Sequence, residues 1–382
     1  MTTRRDFIKG VGAASLVGLL PNLSFASTQS PNKLVWITLR GAMDGLNVVV
    51  PTFDDDYYAL RPNIAIAKSD LKPLDKGFGL HPSLVNVHQW YQQGQAAFVH
   101  ASATNYRQRS HFDGQKVLEN GTSDPFDPIG WMNRYLATQN SQVTSQQAIA
   151  IDAGMPLIVR GDVKVSSWFP HKLKAKQQQA DLLAELFQND EVLSANFEDA
   201  VKLESMTSSG NQSKQFAGLM RQAGEFMRAP NGPNIAVLEL GGWDTHSAQG
   251  TVKGRLSNQL TKLDKGLAAL KEALGEQWSK TVIIAASEFG RTVAENGTKG
   301  TDHGTANAMF VLGGALKKSE VITEWPGLSE AQRYQGRDLA PTTDTRAVIK
   351  AVLKQHMGAD STALTQVFPG APEPLALNGL LG

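Results

Sequence analysis

The sequence predicts a doubly wound α/β fold, a mostly parallel sheet with helices on both faces and one helical insertion. Three observations predict it. Short apolar, β-branched runs recur at 34–39, 96–100, 148–151, 235–240, 281–286 and 308–312. They are too short for helices and predominantly apolar, so they read as strands covered on both faces. Longer stretches with helical spacing separate them, which is the alternation of an α/β sheet. Polar residues able to do chemistry gather just beyond the ends of these runs, where open α/β sheets build their sites.

Each element follows from its local pattern. Residues 1–26 hold Arg4-Arg5, then Phe7-Ile8-Lys9, an apolar run from Val11 to Leu20, and Ser24-Phe25-Ala26. A basic start, a short apolar stretch and a small-residue cleavage site make a signal peptide. The paired arginines resemble a twin-arginine export signal, which predicts a periplasmic or exported protein whose mature part, 27–382, is one domain. Leu34–Leu39 is the first strand, ended by Arg40-Gly41; residues 52–79 read as an irregular excursion. Pro82–Gln93 has helical spacing at Leu84, Val87, Trp90 and Tyr91, with His88 expected on its surface.

Ala96–His100 is the second strand. Ser110–Glu119 and Gly130–Thr138 are helices, the first opened by a Ser110 and Asp113 capping pair. Ala148–Ile151 is a third strand. Residues 172–228, rich in Lys, Gln, Glu, Ala and Leu, form the helical insertion. Ile235–Leu240 is a strong strand, and Leu256–Leu274 is an amphipathic helix with Leu256, Leu260, Leu263, Leu267 and Leu270 on one stripe. Thr281–Ala286 and Ala308–Leu312 complete the strands. Thr342-Thr343-Asp344 caps a last helix, Thr345–His356, before a Pro- and Gly-rich tail.

Composition narrows the chemistry. With 37 basic and 36 acidic residues there is no charge excess to draw a nucleic acid. No internal apolar run has the length of a membrane span. Cysteine is absent, which excludes disulfides, thiolate catalysis and Cys-ligated metals. A metal site here has only His, Asp, Glu, hydroxyl and water ligands to draw on.

The strand-end segments carry such residues. Asp44 follows the first strand, and Tyr106-Arg107-Gln108-Arg109-Ser110-His111 follows the second. Asp244-Thr245-His246 follows the strand at 235–240, and Ser287-Glu288-Phe289-Gly290-Arg291 the next. Asp302-His303-Gly304 precedes the last strand. Carboxylates and imidazoles converging on one sheet edge suit a divalent cation. Each residue also has a plain structural reading: Asp44-Gly45 as a turn dipeptide, Asp244 as a turn residue, Glu288 as an ion-pair partner of Arg291.

The order of these segments resembles the alkaline phosphatase/sulfatase superfamily. More closely, it resembles a bacterial domain-of-unknown-function family in that clan whose members carry twin-arginine signals. The landmarks are Leu39-Arg-Gly-Ala-Met-Asp-Gly-Leu-Asn47, Arg109-Ser-His-Phe-Asp113, Leu240-Gly-Gly-Trp-Asp-Thr-His246, Ser287-Glu-Phe-Gly-Arg-Thr292, Asp302-His-Gly304 and Gly336-Arg-Asp-Leu-Ala-Pro-Thr-Thr343.

The resemblance implies Asp44, Asp244, His246, Glu288 and His303 as metal ligands and Ser110 as a nucleophile at a helix N-terminus. It implies hydrolysis of a small anionic phosphate or sulfate ester with one or two divalent ions. Imidazoles among the carboxylates point to zinc or manganese rather than calcium. Arg107, Arg109 and Arg291 are candidate clamps for the ester oxygens, and His111 a ligand or acid/base group. Where the clan has a second ligand, Phe289 stands, and it offers none. A competing reading is therefore a non-catalytic periplasmic binding or scaffold protein that keeps the fold.

Overall fold

The computed structural model describes residues 32–139, 147–170 and 214–381. The export signal and residues 172–213 of the predicted insertion lie outside them. A sheet of nine strands runs through the described residues. In chain order its strands are β1 (Lys33–Arg40), β5 (Ala96–Ala103), β6 (Ala148–Ala150), β7 (Ser166–Ser167), β8 (Ile235–Gly241), β9 (Thr281–Ala286), β10 (Asn307–Leu312), β11 (Val321–Ile322) and β12 (Thr343–Asp344). Across the sheet they lie β11-β5-β10-β9-β1-β8-β6-β7, with β12 beside β5. Three short strands, β2 (Val49–Pro51), β3 (Lys72–Pro73) and β4 (Phe78–Leu80), make a separate antiparallel sheet, so part of the stretch read as irregular, 52–79, is strand.

The large sheet is mostly parallel, as predicted, with one reversal. Leu34 of β1 lies opposite Ile235 of β8 and Val282 of β9, both parallel. β10 runs antiparallel to β9 and to β5, with Phe310 opposite Ala285 and Phe98. That reversal matters for function. It brings the segment ahead of β10 to the edge where β1, β5, β8 and β9 end.

Both faces are covered. Val35, Ile37 and Leu39 enter one core and Leu34 and Trp36 the other, the period-two alternation of a strand buried on both sides. The helices are α1 (Gly45–Val48), α2 (Asp55–Ala59), α3 (Val85–Gln92), α4 (His111–Asn120), α5 (Trp131–Thr138), α6 (Phe216–Arg228), α7 (Arg255–Leu274), α8 (Thr345–Gln355) and α9 (Ser361–Val367). Residues of α3, α6 and α7 fill the first core, and residues of α5, α8 and α9 the second. All five leucines of the α7 stripe are fully buried, about 1.5–3 kcal/mol each of hydrophobic stabilisation. α6 presses closely on α7: a Cβ at Gly224 would lie 2.6 Å from the Cβ of Ala273.

Two local expectations are corrected. His88 is buried, and its Nε2 lies 3.1 Å from the Pro73 carbonyl, because β3 folds over α3. Ser110 is the N-cap of α4 but its side chain makes no cap hydrogen bond, and Asp113 turns to Lys116 instead, at 3.5 Å. At α8 the capping expectation holds: Asp344 accepts from the Arg346 backbone N–H at 2.8 Å.

Candidate metal centre

Four segments meet beyond the sheet edge. The chain leaves β8 through Gly241 and Gly242, the latter at φ +91°, and delivers Asp244 and His246. Beyond β5 it runs to the first residue of α4, His111. Ser287 and Glu288 follow the last residue of β9, Ala286. Ahead of β10, His303 forms an isolated antiparallel bridge with Arg291. Gly304 permits this bridge, because a Cβ there would sit 2.3 Å from the Arg291 carbonyl carbon.

The side chains converge on Asp244 Oδ1. His246 Nε2 lies 3.0 Å from it, His303 Nε2 3.4 Å and His111 Nε2 3.6 Å. Ligand atoms of His111, Asp244 and His303 all lie within 4.8 Å of one another. His246 Nε2 and His303 Nε2 are 2.9 Å apart. Two imidazole nitrogens this close need a proton or a cation between them, since two lone pairs repel.

Each imidazole is held from behind. His111 Nδ1 is 2.7 Å from Glu288 Oε1, His246 Nδ1 is 3.2 Å from Asp302 Oδ1, and His303 Nδ1 is 3.0 Å from the Arg109 carbonyl. An oxygen acceptor at every Nδ1 takes the ring proton there and leaves a lone pair at Nε2 facing Asp244. An oxygen behind each ring nitrogen is the backing that metal-binding histidines have. The buried Nε2 of His111 has no hydrogen-bond partner. Such an orphan costs about 1–3 kcal/mol, and a cation among the three rings would remove it. The donor set of three imidazoles and one carboxylate fits zinc, and manganese also accepts it.

The electrostatics favour charged carboxylates and a neutral His303. Burial pushes the Asp244 carboxyl up, but the hydrogen bond and charge of Arg291, 2.5 Å away, outweigh it and hold the group below its ordinary range. At Glu288 burial again pushes up, and the bonds from His111, Gln115 and the Gly41 N–H hold it down. Asp302 is held low first by its bond from Asn296. Burial lowers His303, and the charges of His111 and Arg291 lower it further.

The structure thus brings together His111, Asp244, His246 and His303. Asp44 lies outside this group. Its carboxylate is fully committed to the buried Arg61, at 2.7 and 3.1 Å, and to Gln249 at 2.6 Å. Glu288 backs His111 rather than facing Asp244, and it does not pair with Arg291. Arg291 is buried and gives N–H groups to the carbonyls of Gly41, Ala42, Thr301 and Trp243 and to Asp244. Arg109 binds Asp338 and Gln335, and Arg107 binds the carbonyls of Thr104 and Tyr106. Each of the three is thus tied to other parts of the chain. Ser110, next to His111, is half-buried with its hydroxyl not spent on capping. Phe289 stacks on His111 with ring centres 4.9 Å apart and walls the site.

Sequence reasoning named the Asp302-His303-Gly304 segment but gave Asp302 no role, and it missed Asn296, Gln115, Gln249 and Arg61. Arg61 gave no signal, lying in a stretch without periodicity.

A comparison with curated proteins finds no match. Among solved structures the chain is similar to the C-terminal periplasmic domain of EcEptC from Escherichia coli in complex with Zn, at 12% identity over 93% of each chain, TM-score 0.45. It is also similar to an alkaline phosphatase superfamily protein from Vibrio parahaemolyticus, at 11% identity over 92% of this chain and 73% of that one, TM-score 0.39. Murine ectonucleotide pyrophosphatase/phosphodiesterase 5 in complex with AMP matches at 12% identity over 68% of this chain and 57% of its own, TM-score 0.28. At these scores the likenesses carry no assignment of chemistry, which rests on the side chains themselves. One comparison does fix a relationship: with residues 31–375 matched, the chain belongs to the family described as Protein of unknown function (DUF1501).

Proposed function

We propose that this chain is an exported hydrolase of phosphate or sulfate esters that works with one divalent ion, zinc or manganese. The observation that carries the reading is the set of three imidazoles, each backed at Nδ1 by an oxygen and turned through Nε2 onto Asp244. His111, Asp244, His246 and His303 would hold the ion. One ion rather than two rests on the commitment of Asp44 to Arg61; Glu288 backs His111 through Oε1, with Oε2 buried and unpartnered. A bound divalent cation would neutralise an anionic ester and lower the pKa of a coordinated hydroxyl.

The chain's own residues supply the rest. Ser110 is the candidate nucleophile, at the N-terminus of α4, where unpaired N–H groups favour an anion. Glu288 fixes the His111 ring. Phe289 keeps water from one side of it. Export rests on the Arg4-Arg5 pattern, and no described helix is long and apolar enough to cross a membrane.

Elemental analysis of protein purified without chelator tests the metal, with about one equivalent expected. Aryl phosphate, phosphodiester and sulfate ester assays with added zinc or manganese test the activity. Protein that neither contains nor takes up metal would overturn the reading. The internal commitment of Arg109 and Arg291 favours the second reading, a binding protein. Metal uptake without hydrolysis of any of the three esters would select it.

A further inference from the structure

The two loops that carry the metal-binding residues are joined by one buried amide. Gln249 is fully buried in the turn that leads into α7. Its Oε1 accepts from the Thr245 hydroxyl at 2.7 Å and from the Thr301 hydroxyl at 3.0 Å. Thr245 stands between Asp244 and His246, and Thr301 directly precedes Asp302 and His303. The two loops also meet through the Thr301 N–H and the Thr245 carbonyl, 3.2 Å apart.

The other end of the amide is fixed as well. Gln249 Nε2 donates to Asp44 Oδ2 at 2.6 Å. Asp44 is an acceptor only and is held by both terminal nitrogens of Arg61, and Arg61 is itself bound to Asn47 and to the Val293 and Thr292 carbonyls. The Asp44 carboxylate therefore dictates which way the amide points. Only with Nε2 on Asp44 does Oε1 face the two hydroxyls.

We propose that Gln249 is a positioning residue: it sets the separation of the Asp244–His246 and Asp302–His303 loops and so the spacing of their metal-binding atoms. The buried Asp44–Arg61 pair is its anchor. This rests on the metal reading above and adds to it a role for Asp44 that is not ligation. Partners that orient ligands in this way change metal affinity by about 10–100-fold when lost.

The test is zinc affinity by competition with a chromogenic chelator, read beside the melting temperature of the metal-free protein. Gln249→Met keeps the volume and removes all three bonds, and a loss of about 10–100-fold in zinc affinity is expected. Should Gln249→Met not fold, Thr245→Val and Thr301→Val carry the test, each removing one hydroxyl at constant shape. Each is expected to weaken zinc binding several-fold, whereas Thr301→Ser, which keeps the hydroxyl, restores it. A merely structural role would lower the melting temperature of the valine variants and leave zinc affinity at the wild-type value. That result, or Gln249→Met with wild-type affinity, overturns the proposal. Wild-type protein that binds neither zinc nor manganese would instead overturn the metal reading.

Discussion

His100 shows how a single side chain ties this fold to pH. It is fully buried in β5. Its Nε2–H donates to the Val49 carbonyl at 2.8 Å, and its Nδ1 accepts from the Ala101 N–H at 2.8 Å. A second proton would land on Nδ1, facing another donor. Burial lowers the ring's pKa to about 4, against the Val49 bond and the Asp44 charge, which push it up. The unfolded chain takes the proton near 6.5. Between those values the unfolded state binds more protons, so stability falls as pH falls. The contribution is whole above pH 6.5 and about 3 kcal/mol poorer by pH 4. Denaturant midpoints from pH 7.5 to 4.5 should therefore decline, and the decline should be shallower in His100→Gln. An identical pH profile in that variant would place the acid sensitivity elsewhere; the other buried histidines, His81 and His356, are lowered too.

Helix α4 carries the next prediction, because its first turn holds both Ser110 and His111. Ser110→Ala would cost about 0.5–2 kcal/mol if the hydroxyl capped the helix. It makes no such bond, so the expected cost is well below that range, a melting temperature within about a degree of wild type. Hydrolysis, under the proposed function, should be abolished. Zinc affinity should be unchanged, because His111 is held by Glu288 and not by Ser110. Full activity in Ser110→Ala would point to attack by metal-activated hydroxide. The contrast with α8 is instructive. There the cap, Asp344, accepts from the Arg346 N–H and also binds its guanidinium, so the two helix starts differ in kind: one is built for stability, the other leaves a hydroxyl unspent beside an imidazole.

At the scale of the whole molecule, the strands were legible because a strand buried on both faces is a near-continuous apolar run, as at 282–286 and 235–238. The direction of β10 was not, since an apolar run carries no sense of direction. Asp244, His246, His303 and His111 were legible as a group because topology brings strand ends to one edge. The fate of Asp44 was hidden: its partner lies 17 residues on, in a stretch without pattern, and the pairing is made by tertiary packing alone. What this topology leaves at the edge is a set of loops from β5, β8 and β9 and the approach to β10, joined there by isolated backbone bonds and by side chains. An ion bound by residues from three of these loops stabilises the folded state only. At a free concentration of 100 times its dissociation constant the gain is about 2.7 kcal/mol. For a chain of this size that is a rise of a few degrees in melting temperature. Added zinc or manganese should produce that rise in wild-type protein, and a chelator should reverse it. Asp244→Ala should start lower, because the buried Arg291 loses its anion, and should show no rise at any ion concentration. A wild-type-sized rise in Asp244→Ala would mean that the cation sits elsewhere on the molecule.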